Sequence, residues 1–213
     1  MNNILKLKKK ACIYTAVISV VSFFALNSLY FAARCANVRE NVLRLHIIAN
    51  SDSAEDQALK LAVRDRLLET GADIFYGAEN IGEAAEKIEF SSSELENRAR
   101  EAVKEYGFDY GVSVNLTEEY FDTRAYENFT MPAGYYRAVK VVIGEGEGRN
   151  WWCVMFPPLC LPAASGSGEP ERNNGGSLHA VLTDGEANIV EQSSKYEVRF
   201  KIVEIYEKLT RRK

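Results

Sequence analysis

The chain has 213 residues, of which 46% are hydrophobic and 26% are charged, as in a globular protein rather than a disordered or fibrous one. The formal net charge is −4, and Lys/Arg clusters occur only near the two termini. Because binding to nucleic-acid phosphates requires clustered positive charge, we expect no nucleic-acid partner. Four cysteines are too few for a disulfide-dense scaffold.

Residues 1–34 predict a basic cytoplasmic tail followed by a membrane segment. Four lysines precede an apolar run from Ala11 to Ala33, which at about 1.5 Å per residue is long enough to cross the roughly 30 Å hydrocarbon core of a bilayer. The lysines favour a cytoplasmic N-terminus, so residues 37–213 are predicted to form a domain outside the cytoplasm. A cleaved signal peptide, followed by secretion, is the alternative, although the sequence Ala33-Arg34-Cys35 is a poor cleavage site.

The stretch from Leu43 to Leu68 predicts a strand, a polar turn and a helix. Its first residues, Leu43 to Ala49, have the leucine-rich and β-branched composition of a strand buried on both faces. The turn Asn50–Ser53 consists of residue types that cap a helix N-terminus. The helix is predicted to begin near Ala54 and to end at Thr70-Gly71.

The rest of the chain predicts strands in the middle and helices on either side. Two short helices are predicted at 80–89 and 94–106, and alternation of apolar and polar residues predicts strands at 110–116, 119–123, 135–143 and 151–156. A mobile turn, Gly144–Gly148, is predicted to join the last two strands as a hairpin. Residues 163–177 have the composition of a flexible loop.

A closing helix is predicted at 195–209, with apolar residues at the spacing of one helix face: Val198, Ile202, Ile205 and Leu209. Together these elements predict a single α+β domain with a mainly antiparallel or mixed sheet and flanking helices, preceded by one transmembrane helix.

The sequence contains no recognisable catalytic or metal-binding motif. His46 is interpreted as a buried ring with one hydrogen-bond partner and His179 as exposed, because two isolated histidines lack the ligand spacing of a metal site. We therefore expect no metal, no cofactor, no catalytic residues and no small-molecule substrate. A thiol enzyme could use Cys153 with a histidine, but no local signature supports it.

The segment Asn150–Cys160 contains both tryptophans of the chain and half of its cysteines. Alternation along a strand places Trp151 and Trp152 on opposite faces, so that one can pack inward while the other contacts a partner protein. Cys153 and Cys160 could form a disulfide in an oxidising compartment, which their spacing alone does not decide.

Three stretches resemble the stage II sporulation protein R (SpoIIR) family of spore-forming Firmicutes: LHIIANSDSAEDQALKLAVRD (Leu45–Asp65), NWWCVMFPPLC (Asn150–Cys160) and YEVRFKIVE (Tyr196–Glu204). The resemblance implies a signalling protein that is made in the forespore and exported into the space between the forespore and mother-cell membranes. There it would trigger the membrane-bound aspartic protease SpoIIGA, which processes the precursor of sigma factor E. A protein with this role is not itself an enzyme.

Under this hypothesis the candidate partner-binding residues are Asn50, Ser51, Asp52, Trp151 and Trp152. Two alternatives stay open. The first is a membrane-anchored thiol hydrolase or cell-wall-modifying enzyme that uses Cys153, and the second is a purely structural envelope protein.

Overall fold

The computed structural model describes residues 2–126, 128–159, 174–192 and 195–210. Its helices are α1 (Asn2–Glu40), α2 (Ala54–Phe75), α3 (Ile81–Phe90), α4 (Ser92–Glu105), α5 (Asn174–Val181), α6 (Asp184–Glu191) and α7 (Glu197–Thr210). Its strands are β1 (Leu43–Ile48), β2 (Val112–Phe121), β3 (Arg124–Ala125), β4 (Thr130–Met131), β5 (Gly134–Ile143) and β6 (Asn150–Phe156).

Four strands form one mixed sheet in the order β2-β5-β1-β6, which confirms the predicted α+β fold with a mixed sheet. β1 pairs parallel with β5 and antiparallel with β6, and β2 pairs antiparallel with β5. The predicted hairpin of the last two strands is wrong, because β1 lies between β5 and β6. An interior position suits β1, whose side chains Leu43, Leu45 and Ile47 are buried.

The predicted strands at 110–116 and 119–123 are one strand, β2. Its pairing with β5 runs without interruption from Val112, opposite Ile143, to Phe121, opposite Gly134. Each residue of β2 therefore has a partner on β5, and no break occurs where the sequence predicted one. β3 and β4 form a separate two-stranded ribbon.

Helix α2 begins as predicted but ends later. Ser53 is the N-cap, and its Oγ accepts a hydrogen bond from the Asp56 amide at 3.1 Å. The predicted end at Gly71 is wrong, since the helix continues to Phe75. A Cβ on Gly71 would lie 2.7 Å from Met155 Cε, so this glycine allows close packing of α2 on the sheet rather than ending the helix.

The two helices α5 and α6 were not predicted. α5 begins at Asn174, within the stretch predicted as a loop, and residues 163–173 of that stretch lie outside the described residues. α6 begins with a capping box, in which the Glu186 side chain accepts a hydrogen bond from the Thr183 amide at 2.9 Å. The sequence pattern of Thr183 and Glu186 could have revealed this helix.

Helix α1 is continuous from the basic tail into the domain. Within the described part of the chain, Lys10–Glu40 of α1 is the one helical stretch that is long and apolar enough to cross a membrane. Its last turns belong to the folded core, because Phe31, Cys35 and Val38 are buried. The predicted boundary near residues 34–37 lies inside this continuous helix.

Helix α7 packs with the side opposite the predicted apolar stripe. Phe200 and Val203 are buried against α1 and α6, in a cluster with Phe31 and Ile189. The stripe predicted from the sequence is present but exposed, with exposed fractions of 75% for Val198, 50% for Ile202, 53% for Ile205 and 82% for Leu209.

Candidate functional site

The sheet has one largely covered face and one partly open face. Helices α2, α3 and α4 cover the first face and form the main hydrophobic core. The last turn of α1, helix α6 and the β3–β4 ribbon cover only part of the second face. On the rest of it a polar cluster surrounds His46; we call this the histidine cluster, and its members are His46, Glu119, Lys140, Asn150 and Trp152.

His46 is only 5% exposed, as predicted, but it has two hydrogen-bond partners rather than one. Its Nδ1 lies 2.7 Å from Glu119 Oε2 and its Nε2 lies 2.8 Å from Asn150 Oδ1. A neutral imidazole donates from one nitrogen only, so a neutral ring is fully bonded when Nδ1 donates to Glu119 and the Asn150 amide turns its NH2 towards Nε2. The Trp152 ring stacks on the imidazole with centroids 3.7 Å apart.

Glu119 connects the histidine to a lysine. Lys140 Nζ donates to Glu119 Oε1 at 2.5 Å, while His46 occupies the other carboxylate oxygen. Burial alone would raise the pKa of Glu119, but the hydrogen bonds from Lys140 and His46 outweigh it and hold this pKa below its ordinary value. Glu119 is therefore a stable carboxylate at neutral pH, and it neutralises the lysine beside it.

In the histidine cluster both ring nitrogens of His46 face other side chains. A histidine acting as general base needs a nucleophile or a water within hydrogen-bond reach. Both nitrogens of His46 instead face Glu119 and Asn150, and Trp152 covers the ring. Among the described residues, no group of three or more His, Cys, Asp and Glu side chains could hold a metal ion. The arrangement holds the His46 ring in place between these partners.

The β1–α2 turn, Asn50–Ser53, directs two of its predicted contact residues inward. Asn50 Nδ2 and Ser51 Oγ donate to Asp56 Oδ2 at 2.9 and 2.6 Å. The hydrogen bonds from Ser51 and Asn50 hold the pKa of the Asp56 carboxyl below its usual value. Asn50 and Ser51 therefore stabilise the turn and the start of α2.

The same turn binds the loop between β5 and β6, which was predicted to be mobile. The amide of Glu145 donates to Asn50 Oδ1 at 3.0 Å, and the amides of Glu147 and Gly148 donate to backbone carbonyls of residues 50 and 49. These hydrogen bonds fix the loop on the turn. The packing is close, since a Cβ on Gly148 would lie 2.2 Å from the Ser51 carbonyl oxygen.

Asp52 and Ser53 are the exposed residues of the turn. The Asp52 side chain is 59% exposed, and its Oδ1 accepts a hydrogen bond from the Arg149 amide at 2.7 Å and lies 3.4 Å from Arg149 Nε. Arg149 precedes Asn150, which belongs to the histidine cluster. The exposed end of the turn and the histidine cluster therefore lie next to each other in the structure.

Trp151 and Trp152 lie on opposite faces of the sheet, as predicted. Trp151 packs against the main core, where the Arg64 guanidinium lies 4.6 Å from its ring centroid. Trp152 lies on the partly open face and stacks on His46. Both rings are partly buried, Trp151 beside the main core and Trp152 beside the cluster on the second face.

Cys153 is buried and disulfide-bonded. A buried sulfur in a disulfide provides no thiolate, and this observation weighs against a thiol enzyme that uses Cys153. Cys160 lies outside the described residues. The predicted pairing of the two cysteines therefore stays a prediction.

Comparison with known proteins identifies the family. Residues 39–165 match the family model of stage II sporulation protein R. The chain belongs to the stage II sporulation protein R family. The curated stage II sporulation protein R of Bacillus subtilis (strain 168) is 37% identical over 124 residues, which span 58% of this chain and 55% of that protein. No solved structure matches the chain.

Membership in the stage II sporulation protein R family establishes a role in sporulation. The matched residues 39–165 contain all six strands, so they include the β1–α2 turn and the histidine cluster. Helices α5, α6 and α7 lie beyond the end of the match. The match therefore covers the sheet and the helices on its covered face, and the resemblance of Tyr196–Glu204 lies outside it and stays a prediction.

Sequence reasoning missed three members of the histidine cluster: Glu119, Lys140 and Asn150. Alternation along β2 assigns Glu119 to one face of its strand, but it does not say which strand lies beside it. His46 and Glu119 are 73 positions apart in the chain and lie on strands separated by β5. Only the strand order brings them together.

Proposed function

We propose that this protein is an exported sporulation signal that activates a SpoIIGA-like membrane-bound aspartic protease, and that this protease processes the precursor of sigma factor E. Membership in the stage II sporulation protein R family is the observation that carries the proposal. The protein acts by binding and not as an enzyme. The bonded ring of His46 and the disulfide-bonded Cys153 support this assignment.

The proposed location is the membrane, with the folded domain outside the cytoplasm, in the space between forespore and mother cell. The four lysines before Ala11 favour retention of the N-terminus in the cytoplasm. Cleavage near Cys35 would remove Phe31, whose ring lies 5.4 Å from that of Phe200. Because this contact fixes α7, we propose that α1 stays attached as a membrane anchor.

The proposed contact surface consists of Trp152 and Asp52 with the intervening residues Arg149 and Asn150. Trp152 supplies a large ring held in place by His46, and rigid aromatic residues often dominate binding energy at protein interfaces. Asp52 and Arg149 supply exposed charges at its edge. Asn50 and Ser51 support this surface from behind, through Asp56.

The test uses sporulating cells that lack the native gene and carry variants of the full chain. Cleavage of the sigma-E precursor is measured by immunoblotting. We expect no cleavage in the deletion strain and full cleavage with the unchanged chain. Trp152→Ala and Asp52→Ala should accumulate normally but reduce cleavage of the precursor. Trp152→Ala should weaken receptor binding by about 2 kcal/mol or more, the loss typical of an interface hot spot.

The matched control is Phe90→Ala, which removes an aromatic ring that is 93% exposed on α3, a helix packed on the covered face of the sheet. This variant should signal fully. Normal precursor cleavage in the deletion strain would refute the proposed function. Full signalling by both Trp152→Ala and Asp52→Ala would refute the contact surface and leave the function standing.

A further inference from the structure

Helix α7 presents a continuous apolar row to solvent, which we call the α7 seam. It consists of Val198, Ile202, Ile205 and Leu209, all at least half exposed. Four large aliphatic side chains aligned on one side of a short helix are unusual on a protein surface that has no partner. The α7 seam lies outside residues 39–165, which the family model matches.

The rest of the protein fixes the orientation of the α7 seam. On the opposite side of α7, the Phe200 ring packs at 71° against Phe31 of α1, with centroids 5.4 Å apart. About two turns further along both helices, Arg39 Nη2 lies 3.0 Å from Glu207 Oε1. Both contacts hold α7 alongside α1, and rotation of α7 to bury the seam would break them.

The spacing of the α7 seam is that of a coiled coil. Its residues are separated by four, three and four positions, which is the alternation of a and d positions in a heptad repeat. Such a row remains on one side of a helix and fits the corresponding row of a second helix. The occupant that best matches the shape of this surface is therefore another α-helix.

The charges beside the α7 seam define the chemistry of that helix. The charged residues at the flanking e and g positions are all basic: Arg199 on one side, and Lys201 and Lys208 on the other. Glu204, which bonds both lysines, lies behind them and is only 8% exposed, and Asp122 Oδ1 also lies 3.0 Å from Lys208 Nζ. Arg199 and Lys201 are therefore the flanking cations that remain available to a partner. Acidic residues at the flanks of the partner helix would complement this pattern.

The same charges argue against a second copy of the chain as the occupant. Two copies of α7 would bring basic flanks together, and like charges at these positions oppose pairing. A bilayer surface also fits poorly. The contacts Phe31–Phe200 and Arg39–Glu207 show that α7 runs in the same direction as α1. The α7 seam is therefore parallel to the predicted membrane helix, whereas a helix that binds a bilayer surface lies in the plane of the membrane.

We propose that the α7 seam binds an amphipathic helix of a partner protein, with an apolar row facing the seam and acidic residues on its flanks. This inference does not depend on the proposed activation of a protease, since it rests on the surface of α7 alone.

The direct test measures binding of two synthetic helical peptides of about 21 residues to the full chain in phosphatidylcholine nanodiscs. Both peptides carry isoleucine and leucine at a and d positions; one has glutamate at its e and g positions and the other has lysine. Fluorescence anisotropy should show that the glutamate peptide binds at least about tenfold more tightly at low salt. The preference should shrink at about 1 M salt, where such charges are screened.

Variants of the chain separate the apolar and the charged contributions. Ile202→Asp combined with Ile205→Asp should abolish binding of the glutamate peptide, whereas Phe90→Asp, at an equally accessible apolar site, should leave it unchanged. Arg199→Glu combined with Lys201→Glu should remove the preference for glutamate. Circular dichroism and resistance to limited proteolysis, both compared with the unchanged chain, check that the variants fold.

Three results would overturn the proposal. The first is equal binding of the two peptides, or binding that survives the double aspartate variant. The second is self-association of the unchanged chain that the double aspartate variant abolishes, which would assign the α7 seam to a second copy. The third is binding of α7 to phosphatidylglycerol vesicles that competes with the glutamate peptide, which would assign the seam to the lipid surface.

Discussion

The two faces of the sheet are built from alternate residues of the same strands, yet they differ in chemistry. On the covered face, Leu45 and Ile47 of β1 contribute to a core made of apolar side chains. On the other face the intervening residues, Arg44 and His46, are equally inaccessible but ionisable. The first face needs only complementary shape, whereas the second must satisfy hydrogen bonds and charge.

Arg44 shows how the second face meets this requirement. Its Nε donates to the Cys153 carbonyl oxygen at 2.8 Å and its Nη2 donates to the Tyr126 hydroxyl at 2.7 Å. The guanidinium carbon lies 4.3 Å from the centroid of the Phe121 ring and 5.1 Å from that of Tyr136. Ring faces, one backbone carbonyl and one hydroxyl thus surround this cation, while its Nη1 has no hydrogen-bond partner among the described residues. Burial alone therefore does not distinguish the two faces; the partners of the buried groups do.

The largest difference in stability between the two faces is expected from alanine substitutions of two neighbouring isoleucines, Ile47 and Ile48. Ile47→Ala removes a fully buried side chain from the covered face and should lower the free energy of unfolding by about 2–5 kcal/mol. Ile48→Ala, the matched variant on the partly exposed second face, should cost less than about 1.5 kcal/mol. Urea unfolding of the full chain in detergent, followed by tryptophan fluorescence, measures both. Equal losses would contradict the distinction between the faces.

A smaller effect, with a defined pH dependence, is expected at Glu119. Glu119→Gln keeps the shape but removes the charge that pairs with Lys140 and His46, and should cost about 1–2 kcal/mol at neutral pH. The folded state holds the pKa of Glu119 below its ordinary value. The contribution of this carboxylate is therefore present above its unfolded-state pKa of about 4.3 and is lost as the pH falls through the lower folded-state pKa.

The measurement compares unfolding of the unchanged chain and Glu119→Gln at neutral pH and at successively lower pH. The stability difference between the two proteins should narrow as the solution becomes more acidic. Glu118→Gln is a matched control, because Glu118 is exposed on the adjacent position of β2. A difference between Glu119→Gln and the unchanged chain that stays constant down to the lowest pH would contradict the role assigned to this carboxylate.

The elements that depend on local sequence were predictable. β1, the start of α2 at its Ser53 cap and the opposite faces of Trp151 and Trp152 all follow from composition, capping and alternation. The order of the strands in the sheet could not be predicted, because alternation assigns a residue to one face of its strand but does not say which strand lies beside it. For this reason the histidine cluster, which joins residues of four strands, could not be assembled from the sequence.

The orientation of α7 shows a second limit of prediction from the sequence. Its sequence has two apolar sides, the α7 seam and the pair Phe200 and Val203, and periodicity detects the first more strongly. The structure buries the second, because the aromatic ring of Phe200 packs on Phe31 and Glu207 reaches Arg39. A helix period identifies candidate faces, and tertiary contacts decide which of them joins the core.

The smallest effect on stability is expected from Trp151→Phe, on the covered face. The indole Nε1 of Trp151 is buried without a hydrogen-bond partner among the described residues, so the substitution removes no hydrogen bond. A phenylalanine ring retains part of the contact with Arg64, and the cost should stay below about 1 kcal/mol. Urea unfolding reported by the remaining Trp152 measures it, and precursor cleavage should be unchanged. Normal abundance with lost signalling would place Trp151 in the contact surface and would remove the functional distinction between the two faces.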